Sequence, residues 1–137
     1  MPARSVRFSA RLPRDVAKSL TAYAKLYRIT ASEAAVRLLD EALRMARHPG
    51  IDFRWTPVGR GAFITGTGLA VWEFWMLWKD HGKDSRRLQR GYPHLTPAQI
   101  AAGAGYAEEN RQEIEEELEA ATSFDPKAHP SVRVVRV

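Results

Sequence analysis

The sequence predicts a mainly α protein in two parts. A strand–helix–helix segment over residues 1–49 comes first, then a small helical domain with a short β-hairpin over 50–121, then a tail over 122–137. Three observations predict this. The stretch "SVRFSARL" alternates, with Val6, Phe8, Ala10 and Leu12 on one face and Ser5, Arg7, Ser9 and Arg11 on the other, as a two-sided strand would. Past it, apolar residues recur at helical spacing. Charge is also segregated: Met1 to Arg60 holds 12 Lys+Arg against 5 Asp+Glu, whereas Ala107 to Ala121 holds 7 glutamates against Arg111 alone.

The 137 residues suffice for one ordinary domain or two very small ones, and a hydrophobic share of 45% is that of a globular chain. The net charge is +5 and the pI near 9.9, so a polyanion is expected to meet the basic front half. The longest apolar stretch, Leu69 to Trp78, is too short to span a bilayer. Arg4, Arg7, Arg11 and Arg14 have no apolar block behind them, so no signal peptide is expected. The absence of cysteine excludes disulfides and suits the cytoplasm.

In the front segment, Pro13 suits the first turn of a helix, and Val16, Leu20, Tyr23 and Tyr27 form its apolar stripe. Thr30 and Glu33 make a T-x-x-E capping box that starts a second helix. That helix is expected to bury Ala35, Leu38, Leu39, Ala42 and Met45 and to stop at Pro49 and Gly50. So short a segment with one unpaired strand makes a poor core and an open edge. Two copies solve both problems by pairing strands antiparallel and interlocking helices. Arg7, Ser9 and Arg11 then stand out from a two-stranded ribbon that fits the major groove of double-stranded DNA, where arginine bridges guanine O6 and N7.

The run "VRFSARLPRDVAKSLTAYAKLYRITASEAAVRLLDEAL" resembles the ribbon-helix-helix repressors and antitoxins. The resemblance implies a homodimer, or a higher even oligomer, on operator DNA. It implies that Arg7, Ser9 and Arg11 read bases and that Thr30, Ala31 and Ser32 hold a phosphate. The unsatisfied amides of a helix N-terminus support the phosphate role independently. The family often has glycine between its helices, where this chain has "LYRIT".

In the second half, Ile51, Phe53 and Trp55 alternate before the glycine-rich "VGRGAFITGTG", which predicts a small hairpin. No Lys-Ser/Thr follows at the spacing a phosphate loop needs. A helix over about Ala70 to His81 carries Trp72, Trp75 and Trp78 on one stripe, with apolar residues on its other sides too. Such a helix is covered on several faces, as a core helix or, through the tryptophans, against a partner. A short helix follows from about Asp84. A longer one starts at Thr96 and Pro97, with Ile100, Ala104, Ala107 and later Ile114 and Leu118 buried; Gly103 and Gly105 suggest close packing.

From about Gly59 to Leu118, through "ITGTGLAVWEF", "YPHLTPAQI" and "YAEENRQEIEEEL", the chain resembles the domain-of-unknown-function family 433, a helix-turn-helix-like unit. Gly68 stands where that family often has a basic residue. The resemblance implies a type II antitoxin setting with a cognate PIN-like ribonuclease toxin. The helix that would enter a groove offers Gln99 and Asn110 and then runs into glutamates, so base reading there is not expected. Arg86, Arg87 and Arg90 on the preceding helix remain able to touch a DNA backbone. The glutamates at 113–119 read as a solvated helix face.

In the tail, "SVRVVRV" has strong β-propensity and three fates are open to it, a frayed end, a strand added to the chain's own hairpin or a strand added to a partner; in the last, Arg133 and Arg136 are candidates to neutralise the metal-holding carboxylates of such a nuclease. His48, His81, His94 and His129 lie far apart, no metal or cofactor is expected, and no catalytic constellation stands out. The expected function is an antitoxin and autorepressor. Its rivals are a stand-alone transcription regulator and an interaction protein whose basic end meets another acidic partner.

Overall fold

The computed structural model describes residues 5–123. Among them the order is α1 (Arg14–Leu26), α2 (Ala31–Arg47), β1 (Ile51–Thr56), β2 (Gly59–Ile64), α3 (Val71–Asp80), α4 (Ser85–Gly91), α5 (Pro97–Glu109) and α6 (Arg111–Thr122). The protein is mainly helical with one small antiparallel sheet, as expected. It divides into two compact units between Leu43 and Arg44, so the last turn of α2 belongs to the second.

In the first unit, α1 begins directly after Pro13, whose fixed φ suits helix entry. It ends in a Schellman turn: Arg28 donates its amide to Lys25 O at 3.3 Å and Ile29 donates to Ala24 O at 3.0 Å. Arg28 occupies the left-handed position of that turn at φ 55, the geometry for which glycine is usual. Helix α2 opens with the expected capping box. The Glu33 amide donates to Thr30 Oγ1 and the Thr30 amide donates to Glu33 Oε2, each at 3.0 Å.

Two expectations for the front segment call for a second copy and are not met within one chain. Residues 5–12 form no strand, because a strand needs a neighbouring backbone and, among the described residues, β1 and β2 pair with each other, with one further bridge from Phe63 to Ala70. Along α2, Ala35, Leu38, Leu39, Ala42 and Met45 are all exposed, while Ala34 and Glu41 are buried. An amphipathic stripe sinks only where a second apolar surface covers it. Among residues 5–43 the buried apolar side chains are Ala24 and Ala34, which offer no such surface.

The second unit builds a core of its own. The hairpin turns at Pro57 and Val58, and its register pairs Ile51 with Ile64, Phe53 with Ala62 and Trp55 with Arg60. Ile51, Ala62 and Ile64 meet Val71, Phe74, Trp75 and Trp78 of α3, Leu88 of α4, Leu95 of the loop after it, Ile100, Tyr106 and Ala107 of α5, and Ile114 of α6. Close packing is found at Gly103, where an added Cβ would lie 2.8 Å from Ile64 Cδ1 and 2.9 Å from Phe74 Cδ1. At Gly105 the space is open, so that part of the expectation fails.

Thr96 caps α5 as expected. Its Oγ1 accepts from the Gln99 amide at 3.1 Å, Gln99 Oε1 accepts from the Thr96 amide at 3.0 Å, and Pro97 takes the first turn. The single long helix expected beyond it is instead two. Asn110 leaves helical geometry, and its amide and its Nδ2 both donate to Tyr106 O, at 2.9 and 3.0 Å. A short amide side chain that competes for a helix carbonyl ends α5 there.

Candidate nucleic-acid interface

Every residue from Ser5 to Leu12 is exposed, Val6 at 88% and Phe8 at 81%. Burying a side chain of this kind stabilises by about 1.5–3 kcal/mol, so the arm holds a driving force that one chain leaves unused. Arg7, Ser9 and Arg11 alternate with these apolar groups and are equally exposed. Among the described residues no carboxylate forms an ion pair with Arg7 or Arg11.

The start of α2 offers a smaller anion site than expected. Thr30, Ala31 and Ser32 are all exposed, but the Thr30 amide already donates to Glu33. The amides of Ala31 and Ser32 are left, with the positive end of the helix dipole behind them and the Glu33 carboxylate beside them. Thr30 acts here through its hydroxyl, which fixes the turn. Beyond this end, Val36, Leu38, Leu39 and Leu43 keep α2 apolar and exposed, and on α1 Val16 and Leu26 do the same.

The second unit places the tryptophans differently from a docking stripe. Trp75 and Trp78 lie in the unit's own core and Trp72 is half-buried, so the partner surface expected of the three is corrected for two of them. Trp75 donates Nε1–H to Glu115 Oε1 at 2.6 Å, while Lys83 and Arg111 lie over its ring at 4.7 and 5.4 Å. Glu115 also pairs with Lys79. The bond from Trp75, then that from Lys79, holds the Glu115 carboxyl below the usual range.

The glutamate-rich α6 is also corrected, because only part of it is a solvated face. Arg44 Nη1 donates to Tyr106 Oη at 2.8 Å and to both oxygens of Glu113 at 2.9 Å, and the Tyr106 hydroxyl donates to Glu113 Oε2 at 3.2 Å. Burial works against the charge on Arg44, but the bonds from Tyr106 and Glu113 outweigh it and raise its pKa. Burial raises that of Tyr106 too, against the bond from Arg44. Glu117 is half-buried, and burial, with the Glu113 charge adding, pushes its carboxyl up to about 7. Glu113 and Glu117 flank the apolar Ile114 and Leu118, which turns them inward with that stripe. Glu109 faces both Arg47 and His48.

No local pattern marks Arg44, Tyr106 and Glu113 as partners, since they come from three helices. Among the described residues no group of three or more His, Asp or Glu side chains could hold a metal, and no helix is long and apolar enough to cross a membrane. Arg133 and Arg136 lie outside the described residues. No protein-family model, curated protein or solved structure matches the chain.

Proposed function

We propose that the protein is a dimeric DNA-binding repressor that works as the antitoxin of a type II toxin–antitoxin pair. Two copies join their arms antiparallel and cover each other's α2 stripes, and Arg7, Ser9 and Arg11 read bases from the resulting ribbon. The observation that carries this is the arm itself. Val6 and Phe8, almost wholly exposed, alternate with Arg7, Ser9 and Arg11 on a segment that has no strand partner among the described residues. Antiparallel pairing would satisfy its backbone and hide its apolar face in one step. The amides of Ala31 and Ser32 add a phosphate contact. The ribonuclease toxin rests on the family resemblances alone.

Sedimentation and gel shifts on the DNA upstream of the protein's own coding sequence test the reading. The wild type is expected to sediment as a dimer or a higher even oligomer and to shift that DNA. Phe8→Asp should give monomers that do not. Arg7→Ala and Arg11→Ala should stay dimeric and each lose on the order of 1–3 kcal/mol at the contacted base. A monomeric wild type, or intact operator affinity in the double alanine variant, would sink the DNA reading. Co-purification with a small nuclease encoded alongside tests the antitoxin role, and free passage of the two proteins would end it.

A further inference from the structure

Among the described residues of the second unit, most arginines and lysines outside α4 have a carboxylate partner. Arg44 meets Glu113, Arg47 meets Glu109, Arg54 meets Asp52, Lys79 meets Glu115, and Lys83 and Arg111 meet Glu108. Helix α4 differs. Arg86, Arg87 and Arg90 are exposed, and among the described residues none of them forms an ion pair. The adjoining acid, Asp84, spends Oδ1 on the amides of Arg86 and Arg87, at 3.0 and 3.2 Å, as the helix cap. Arg86 and Arg90 stand one turn apart, where like charges repel.

The helix is held in place from its other side. Leu88 is fully buried, and Gln89 Nε2 donates to Leu95 O at 3.1 Å. Arg86, Gln89 and Arg90 line a shallow cleft of about 500 Å³. The guanidiniums therefore ride on an anchored helix.

We propose that Arg86, Arg87 and Arg90 form a second, sequence-independent contact, to the phosphates of double-stranded DNA. The surface of α4 favours this occupant over an acidic protein. Its exposed positions are Ser85, Arg86, Arg87, Arg90 and Gly91, with no apolar side chain among them, whereas protein interfaces have apolar centres. The helix carries no aromatic ring on which an unpaired base could stack, and Tyr92 at its C-cap is set edge-on against His81, which disfavours single strands. Planar guanidiniums match phosphate oxygens in pairs, and this contact needs no base to be read. It is separate from the arm, so it stands or falls independently of the function proposed above.

The test uses the full chain, a random-sequence duplex and fluorescence anisotropy across a salt series. Replacing all three arginines with glutamine should flatten the slope of log K against log salt by about 0.9 for each phosphate released, so by roughly 2 for two contacts. The triple lysine variant keeps the charge and should keep most of the slope. The Arg7→Ala/Arg11→Ala variant should lose preference for the upstream DNA yet still bind the random duplex. Tryptophan fluorescence confirms folding of each variant. A wild-type slope in the triple glutamine variant overturns the proposal. So does competition by polyglutamate as effective as that by duplex of equal charge, which would name an acidic protein as the occupant. If Arg7→Ala/Arg11→Ala keeps its preference for the upstream DNA, the arm reading fails and this one is untouched.

Discussion

At the scale of single residues, the second unit is held by contacts that tolerate little change. Gly103 lets α5 come down on Ile64 and Phe74, and a methyl group there would press on both within 3 Å. Gly103→Ala should therefore destabilise by roughly 1–3 kcal/mol, despite the better helix propensity of alanine. A lower melting temperature by tryptophan fluorescence checks it, and an unchanged one would mean that the layers move apart freely. Glu117 gives a pH effect. Burial and the nearby Glu113 push its carboxyl up to about 7, while an unfolded chain releases that proton near 4.5. Between those values the native state holds more protons than the unfolded one, so this group's contribution is complete below 4.5 and is lost as pH rises through 7. The urea midpoint of the wild type should fall across that window, and Glu117→Gln should flatten this part of the fall. Equal pH profiles in the two proteins would refute the assignment.

At the scale of elements, the signals that the sequence declares locally are the ones that the fold obeys. Thr30 with Glu33, and Thr96 with Gln99 and Pro97, start helices where their capping chemistry says. Thr96→Ala should remove one such cap and cost about 1 kcal/mol, and a shift of less than a few tenths in the unfolding free energy would mean that tertiary packing alone positions α5. The hairpin follows from the alternation of Ile51, Phe53 and Trp55. Burial on α2 was not legible, because periodicity says which residues share a face and not whether anything covers it. Asn110 was missed for a related reason: apolar residues continue in helical register to Leu118, and the break is made by one side chain that turns back to the Tyr106 carbonyl. The inward glutamates were illegible too. A run of like charges looks solvated until Arg44, far away in sequence, is brought against it. Of the candidate interface, the alternation in the arm and the cap of α2 were legible, but the claim of Glu33 on the Thr30 amide was not separated from the phosphate role.

At the scale of the whole molecule, the two units differ in what supports them. The second buries Trp75, Phe74, Tyr106 and Ile100 in a core of its own. Among its described residues the first buries Ala24, Ala34 and Glu41 and leaves Val6, Phe8, Val16, Leu26, Val36, Leu38, Leu39 and Leu43 exposed. If a second copy covers that surface, the first unit must gain stability by mass action as concentration rises, and the second need not. A tenfold rise adds about 1.4 kcal/mol to a dimer, roughly 5–10 °C for a paired unit of this size. The two units can be read apart in one sample, since all four tryptophans, Trp55, Trp72, Trp75 and Trp78, belong to the second. Tryptophan fluorescence should give one melting temperature at every concentration. Far-UV circular dichroism, which also sees α1 and α2, should show an earlier transition that climbs with concentration. Phe8→Asp should abolish the climb and leave the fluorescence curve in place. Coincident curves that ignore concentration would show that the first unit takes no support from a second copy, and the ribbon would lose its physical reason.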